Sequence, residues 1–417
     1  MNLNPAIVIP TYWCGRRTAH SVDRGVLYDH MTPIDQEGEL PRCLDSLRQV
    51  VGIGRIFLLV VSEPGVENQA SEKVHDIARR FPGLDIVVIG DAELRYIHRQ
   101  MAQFGFEDFT SAACLTGYGA VRNLGVLVSS IFGYDTVVFI DDDEIVLGPD
   151  FLERAVYGIA MKTPSGKLIT GKTGYFFNDE GKYTAPVDTP WYDHFWNRSR
   201  GFNEYIERAV SGPRLSRAQV ACGGCLVLHA DLYGRVAFDP WISRGEDLDY
   251  LLSAHMYGVD IWFDNTLNLR HLAPPTLSNA SRWTQDMYRW FYEARKIEFA
   301  RTQIDLMQVK PESYEHYPGT WLGHSIRRRA IFTAFLRGVG CPEHGQWFKL
   351  IGSERKQASE YARENCAKYF ELQHQWPDIV RALWRCTPLV SQIRSIKTMA
   401  STSAFTGRFA AITVDDR

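Results

Sequence analysis

The stretch "VVFIDDDEIVLGPDFLERA", Val137 to Ala155, runs four apolar residues straight into four consecutive acids. Like charges a few ångströms apart repel by roughly 1 kcal/mol in water and by several in a shielded site. A solvent-facing loop tolerates that repulsion, whereas the end of an interior strand calls for a counter-charge. On an extended chain, Asp141 and Asp143 point to one side and Asp142 and Glu144 to the other. Two carboxylates on one side of a strand end suit a divalent cation with oxygen ligands. Taken alone, so short a pattern fits a solvated acidic turn better.

The flanking sequence supplies a context. "AIVIPTY" (Ala6 to Tyr12), "RIFLLVVS" (Arg55 to Ser62), "LDIVVIG" (Leu84 to Gly90) and "DTVVFID" (Asp135 to Asp141) are short apolar runs bounded by Gly, Pro or Asp, the signature of buried strands. Between them "GELPRCLDSLRQV", "ENQASEKVHDIARRF" and "GAVRNLGVLVSSIF" read as helices. Such alternation predicts an α/β fold, Rossmann-like, with a mainly parallel sheet and helices on both faces. Ligands of such sheets sit beyond the carboxyl ends of the strands, where the acids fall. From Leu168 to Leu272 the pattern is mixed, with a helix at "EDLDYLLSAHMYG". Past "HLAPPTLSNAS" it turns helical, aromatic and basic, and the last twenty residues, rich in Ser, Thr and Ala, read as loosely ordered.

Composition narrows the class. The chain has 417 residues, 45% hydrophobic and 23% charged, with a formal charge of -3. That is globular and soluble in character and argues against a nucleic-acid partner. No window approaches the ~20 apolar residues of a membrane span, and "MNLNPAIVIPTYW" lacks the charged start of a signal peptide. Eight scattered cysteines fit reduced thiols and a cytoplasmic location. The lone C-x-x-C at Cys222 to Cys225 reads as small residues on a packed strand rather than a zinc site.

"VIPTY", "GYGAVRNLG" (Gly117 to Gly125), the D-x-D and "RGEDLDYLLSAHMYG" (Arg244 to Gly258), in this order, resemble glycosyltransferases of the GT-A fold, family 2-like. The resemblance covers roughly residues 5 to 275 and implies a catalytic domain at 1–275 with a mainly helical region at 276–417. It implies transfer of a hexose from a nucleoside-diphosphate sugar, UDP ahead of GDP, to an acceptor hydroxyl with Mn2+ or Mg2+. Pro10, Thr11 and Tyr12 would lie against the nucleotide, Arg122 and Asn123 near its base and phosphates. Asp141 would face ribose and sugar, with Asp142 beside it, and Asp143 and Asp141 would bind the metal. His271, in "LNLRHLAPP", is similar in place to a metal-completing histidine of mannosylglycerate and glucosyl-phosphoglycerate synthases. Gly223 and Gly224 would let backbone approach the sugar. Asp247 or Glu246 would be the general base, and both also suit the positive end of a helix. Trp241 and Arg244 fall on the acceptor side.

The chain also departs from the pattern. Where family 2 members carry D-D-G-S, this sequence has "VVSEPG", so Glu63 is the base-reading candidate and Asp91 the second. "DMYRW" (Asp286 to Trp290) is similar to the Q-x-x-R-W of processive synthases, but Gln285 is one residue too far away and the chain lacks membrane spans. The basic C-terminal helices suit a solvated face, an anionic acceptor, a peripheral membrane contact or a contact between copies of the chain. Two other readings stand beside the transferase. One is a haloacid-dehalogenase-like phosphatase using the DDD motif, although Ile145 occupies the place of its required hydroxyl residue. The other is a non-catalytic nucleotide-sugar-binding module.

Overall fold

A computed structural model describes residues 3–15, 28, 30–187, 189–272, 279–323, 325–341 and 344–394. The last twenty residues, expected to be loosely ordered, lie outside the described residues.

The first half lays down β1 (Pro5–Cys14), β2 (Thr32–Pro33), β3 (Arg55–Ser62), β4 (Asp85–Ile89) and β5 (Thr136–Phe139). The helices between them are α1 (Leu40–Leu47), α2 (Glu67–Arg79), α3 (Asp91–Gln103) and α4 (Tyr118–Phe132). Along β1 the burial alternates between two cores: Ile7 and Ile9 join Leu44 of α1 and Val74 of α2, while Ala6 and Val8 join Leu94 of α3 and Leu124 of α4. A strand buried on both faces has no polar side to show, which is why it reads as a continuous apolar run.

The mixed middle region contributes β6 (Glu144–Val146), α5 (Phe151–Val156), β7 (Gly171–Phe177), α6 (Ser199–Ser211), β8 (Leu215–Arg217), β9 (Leu226–His229), α7 (Ala230–Tyr233), α8 (Glu246–Met256) and β10 (Trp262–His271). The strand order is β4-β3-β1-β5-β9-β7-β10-β6, with β2 beside β1 and β8 beside β10. Pairing is parallel among β4, β3, β1, β2 and β5, and again between β7 and β10. It is antiparallel where β9 joins β5 and β7 and where β10 meets β6 and β8. The expected α/β sheet is therefore present, parallel in its first half and mixed beyond.

This topology positions the site. The parallel strands β1, β3 and β5 all end on one side, and antiparallel pairing of β10 with β6 returns His271 opposite Glu144. Then come α9 (Asn279–Ala300), α10 (His316–Leu322), α11 (Ile326–Gly340), α12 (His344–Lys349) and α13 (Arg355–Leu383). They pack onto the α4 side of the sheet, where one core cluster runs from Ala6 through Trp290 and Trp376 to Leu389.

Candidate functional site

β5 does not stay extended through the acids. It ends at Phe139, and Asp141 to Glu144 close a turn in which the Glu144 amide donates to the Asp141 carbonyl at 3.1 Å. The expected two-and-two division of the side chains is replaced by four separate environments. Repulsion between neighbouring carboxylates explains this, since a turn fans them apart where a strand would stack alternate ones.

Asp141 accepts a 2.8 Å bond from Nη2 of Arg122. Asp142 lies against the Thr11 hydroxyl and the Tyr12 main chain; burial, then the charge of Asp143, pushes it up to about 8. Burial would also raise Asp143, but a 3.0 Å bond to Nε2 of His271 and the imidazole's charge outweigh it and hold Asp143 low. Glu144 accepts from the Asp141 amide at 3.0 Å, and burial and the Asp141 charge push it up to about 8. Burial pulls His271 down, yet Asp143, Glu144 and Asp141 together raise it to about 9. Phe176 holds its ring edge-on at 4.8 Å.

Arg122 links this turn to the other expected motif. Its buried guanidinium reaches Asp141 from one nitrogen and Oε1 of Glu246 from Nε at 3.3 Å, and lies over the Phe139 ring at 5.0 Å. The third nitrogen, Nη1, is buried without a hydrogen-bond partner. Such an orphan costs about 1–3 kcal/mol unless a ligand supplies an acceptor. Burial raises Glu246 to about 7, with Arg122 opposing and Asp247 and Asp141 reinforcing. Asp247 is half-buried, accepting from the Gly223 amide at 3.2 Å and the Leu248 amide at 2.7 Å.

The glycine pair is packed into the same place. A Cβ on Gly223 would stand 2.8 Å from Nη2 of Arg122, and one on Gly224 would stand 2.1 Å from Oε2 of Glu144. Cys225, immediately after them, is buried, and all eight cysteines are free thiols.

The remaining expected residues divide. Pro10 and Thr11 end the continuous buried run of β1, and the ring of Tyr12 packs at 4.7 Å on Tyr28 and 6.1 Å on Tyr118. Glu63, beyond β3, accepts from the Gly15 amide at 3.0 Å beside the end of β1. Asp91 does not join them: it opens α3 after the edge strand β4 and forms an exposed ion pair with Arg95. Asn123 faces away from the acids, its carboxamide bonded to the Ala112 carbonyl and to both main-chain groups of Phe238. Trp241 is half-buried, its carbonyl held by Tyr361 at 2.6 Å.

Arg244 leads to residues outside the four motifs. It pairs at 3.4 Å with Asp286 of α9, which Arg198 also meets at 2.9 Å. Burial would raise Asp286, but Arg198, Arg244, Arg289 and Arg282 together hold it low. Arg289 lies so close to Gly245, whose φ is +68°, that a Cβ there would be 2.0 Å from its guanidinium carbon. The segment "DMYRW" thus abuts the start of α8, a proximity its imperfect motif spacing concealed.

No protein-family model and no curated protein matches this chain. Similar solved structures include a mannosyltransferase from Pyrobaculum calidifontis in complex with GDP-Man and Mn2+, 13% identical, covering 88% of this chain and 87% of that one with a TM-score of 0.46. GalNAc-T7 with UDP, GalNAc and Mn2+ is 11% identical, covering 85% of this chain and 57% of that one at 0.41. Glucosyl-3-phosphoglycerate synthase from Mycobacterium tuberculosis, in complex with Mn2+ and UDP-glucose, is 14% identical, covering 68% and 75% at 0.36. These are distant likenesses.

Among the described residues no group of three or more His, Cys, Asp or Glu is already arrayed around one point as a metal site. The donor chemistry nevertheless fits a divalent cation. Asp143 and His271 are in contact, Asp141 is on the same turn, and Asp142 and Glu144 are driven toward their neutral forms by burial and by charges that a cation would offset. Among the described residues no helix is long and apolar enough to cross a membrane.

Proposed function

We propose that this chain transfers a hexose from a nucleoside-diphosphate sugar, UDP ahead of GDP, to an acceptor hydroxyl, with residues 1–275 as a GT-A catalytic part and 276–417 as a helical part. The observation that carries the reading is the Arg122 clamp. A buried cation joins the strand-end acid Asp141 to the helix-start acid Glu246, stands beside Gly223 through Nη2, and keeps Nη1 unpaired. A diphosphate supplies the acceptor that Nη1 lacks, and Arg122 suits it through its planar fork of donors.

Asp141, Asp143 and His271 are the residues that would hold Mn2+ or Mg2+, the imidazole favouring Mn2+. Held by these residues, such a cation would supply positive charge to offset that of a departing nucleoside diphosphate. Tyr12, backed by Tyr28 and Tyr118, offers a ring for the base, and Glu63 offers a carboxylate at its edge. Asp247 takes the proton of the acceptor hydroxyl, held in place by the Gly223 and Leu248 amides, while Glu246 positions Arg122. Arg244 and Trp241 lie on the segment leading into α8, on the acceptor side.

The test is a thermal-shift and calorimetric series with UDP-, GDP- and dTDP-sugars, with and without Mn2+. A bound donor raises the melting midpoint through mass action. Asp143→Ala should abolish the metal-dependent response. Asp247→Asn should keep donor binding and lose transfer by about 100-fold or more. If no sugar nucleotide stabilises the wild-type protein with Mn2+, the reading fails; if donor binds without turnover, only the enzymatic part fails.

A further inference from the structure

Large apolar side chains are unevenly exposed over this molecule. The exposed Trp191 and Phe195, in the short helical turn Trp191–Trp196, gather with exposed Phe332, Phe335 and Val339 of α11 and Phe348 of α12. They form one patch. Phe195 meets Phe332 at 5.0 Å and Phe335 meets Phe348 at 6.4 Å, while Gly340 is packed directly on Trp191 and Tyr192. Trp191 is 61% exposed and Val339 56%, so these are not the rims of a core. Contiguous apolar surface of this kind marks a contact site.

The charge around the patch chooses the partner. Arg328, Phe332, Phe335 and Val339 follow i, i+4, i+7, i+11 spacing, so an exposed cation shares the aromatic stripe of α11. Arg327 is exposed one position earlier, and Lys349 follows Phe348. Within Trp191–Phe195 and Ile326–Lys349 the sequence has only two acids, Asp193 and Glu343, and Asp193 is consumed by a 2.5 Å bond from Arg337. A second copy related by two-fold symmetry would bring these cations against their own image. Aromatic side chains beside an excess of arginine and lysine are instead the composition of an interfacial helix face on anionic lipid.

We propose that the Trp191–Phe195 turn and the outer face of α11 and α12 dock this protein onto an anionic membrane surface, with the aromatic rings in the headgroup boundary and Arg327, Arg328 and Lys349 on lipid phosphates. The docking is peripheral and does not depend on the transfer reaction. It also sets an orientation: Trp196, next to Phe195, packs at 4.2 Å on Trp283 and 4.4 Å on Trp321, and Trp283 shares α9 with Asp286 and Arg289.

Vesicle co-sedimentation of the full chain tests this, comparing phosphatidylcholine alone with mixed phosphatidylcholine and phosphatidylglycerol. Binding to the mixed vesicles, weakened by salt, is expected. Arg327→Gln with Arg328→Gln should lower it by about tenfold or more. Phe332→Ser with Phe335→Ser should lower it similarly; each ring is about half exposed, so wild type and variant are compared at equal folded concentration, checked by circular dichroism. Equal binding to both vesicle types, equal binding by the variants, or no vesicle binding by the wild type overturns the proposal. A wild-type dimer split by the Phe332/Phe335 variant, without vesicle binding, reassigns the patch to self-association.

Discussion

Asn123 and Arg122 are adjacent on α4 and do opposite work. The Asn123 carboxamide fixes the loop ahead of α4 through Ala112 and the loop ahead of α8 through both main-chain groups of Phe238, at 2.8–2.9 Å. Replacing it by alanine leaves two buried carbonyls and one buried amide without partners. Each such group costs about 1–3 kcal/mol, not additively, so Asn123→Ala should lower stability by about 3 kcal/mol in urea unfolding while the folded fraction titrates donor as wild type does. A loss of donor affinity at unchanged stability would return Asn123 to the ligand. The sequence motif presents the two residues as one unit; only the helix's rotation, about 100° between neighbours, separates the one facing the acids from the one facing the loops.

At the scale of elements, what was legible in the sequence follows from period and burial. β1, β3 and β4 appear as apolar runs because both of their faces are covered, and α8 appears as an acidic start on an apolar helix. The turn after β5 was not legible, because alternation in an extended strand is a property of backbone angles that the acids themselves override. Asp260, between α8 and β10, was equally silent. It accepts from Lys167 at 2.7 Å and meets Arg217 at 3.0 Å and His255 at 3.5 Å, joining β8, α8 and β10. The His255 hydrogen bond, opposed by burial and aided by both cations, holds its carboxyl far below the ordinary range. A carboxyl lowered on folding contributes stability above its unfolded value, about 4, and loses it as the pH falls further. With its cations half-exposed the contribution is about 1 kcal/mol. Asp260→Asn should therefore lower the urea midpoint at pH 7, and the gap to wild type should shrink below pH 4. A gap that persists into acid would assign the loss to packing.

Across the whole molecule, the C-terminal helices are joined to α8 by a buried cation. Lys296 of α9 is fully buried, 2.9 Å from Asp239 and 2.7 Å from Asp249 of α8, and lies 3.5 Å over the ring of Tyr369 on α13. Its sequence surroundings, "EARKIEF", look like a solvated helix face, so nothing local announces the role; the partners are brought there by folding. Burial drives Asp249 up to about 6 even with Lys296 lowering it, and drives Glu293 well above the ordinary carboxyl range, with the charge of Asp249 adding to it. Lys296→Met removes the cation and leaves these carboxyls to each other, at a cost of about 3–5 kcal/mol when they are ionised. The sign is opposite to that at Asp260. Carboxyls raised on folding favour the native state where they are protonated, below their unfolded values, and lose that advantage as the pH rises through the folded ones. The Lys296→Met deficit should therefore be largest near pH 8 and diminish toward pH 5, measured as the difference in urea midpoints from wild type. A deficit equal at both pH values would mean that ionisation of Asp249 and Glu293 does not carry the loss, and that the contact of the ammonium with the Tyr369 ring ties α9 and α13 to the helix that carries Asp247.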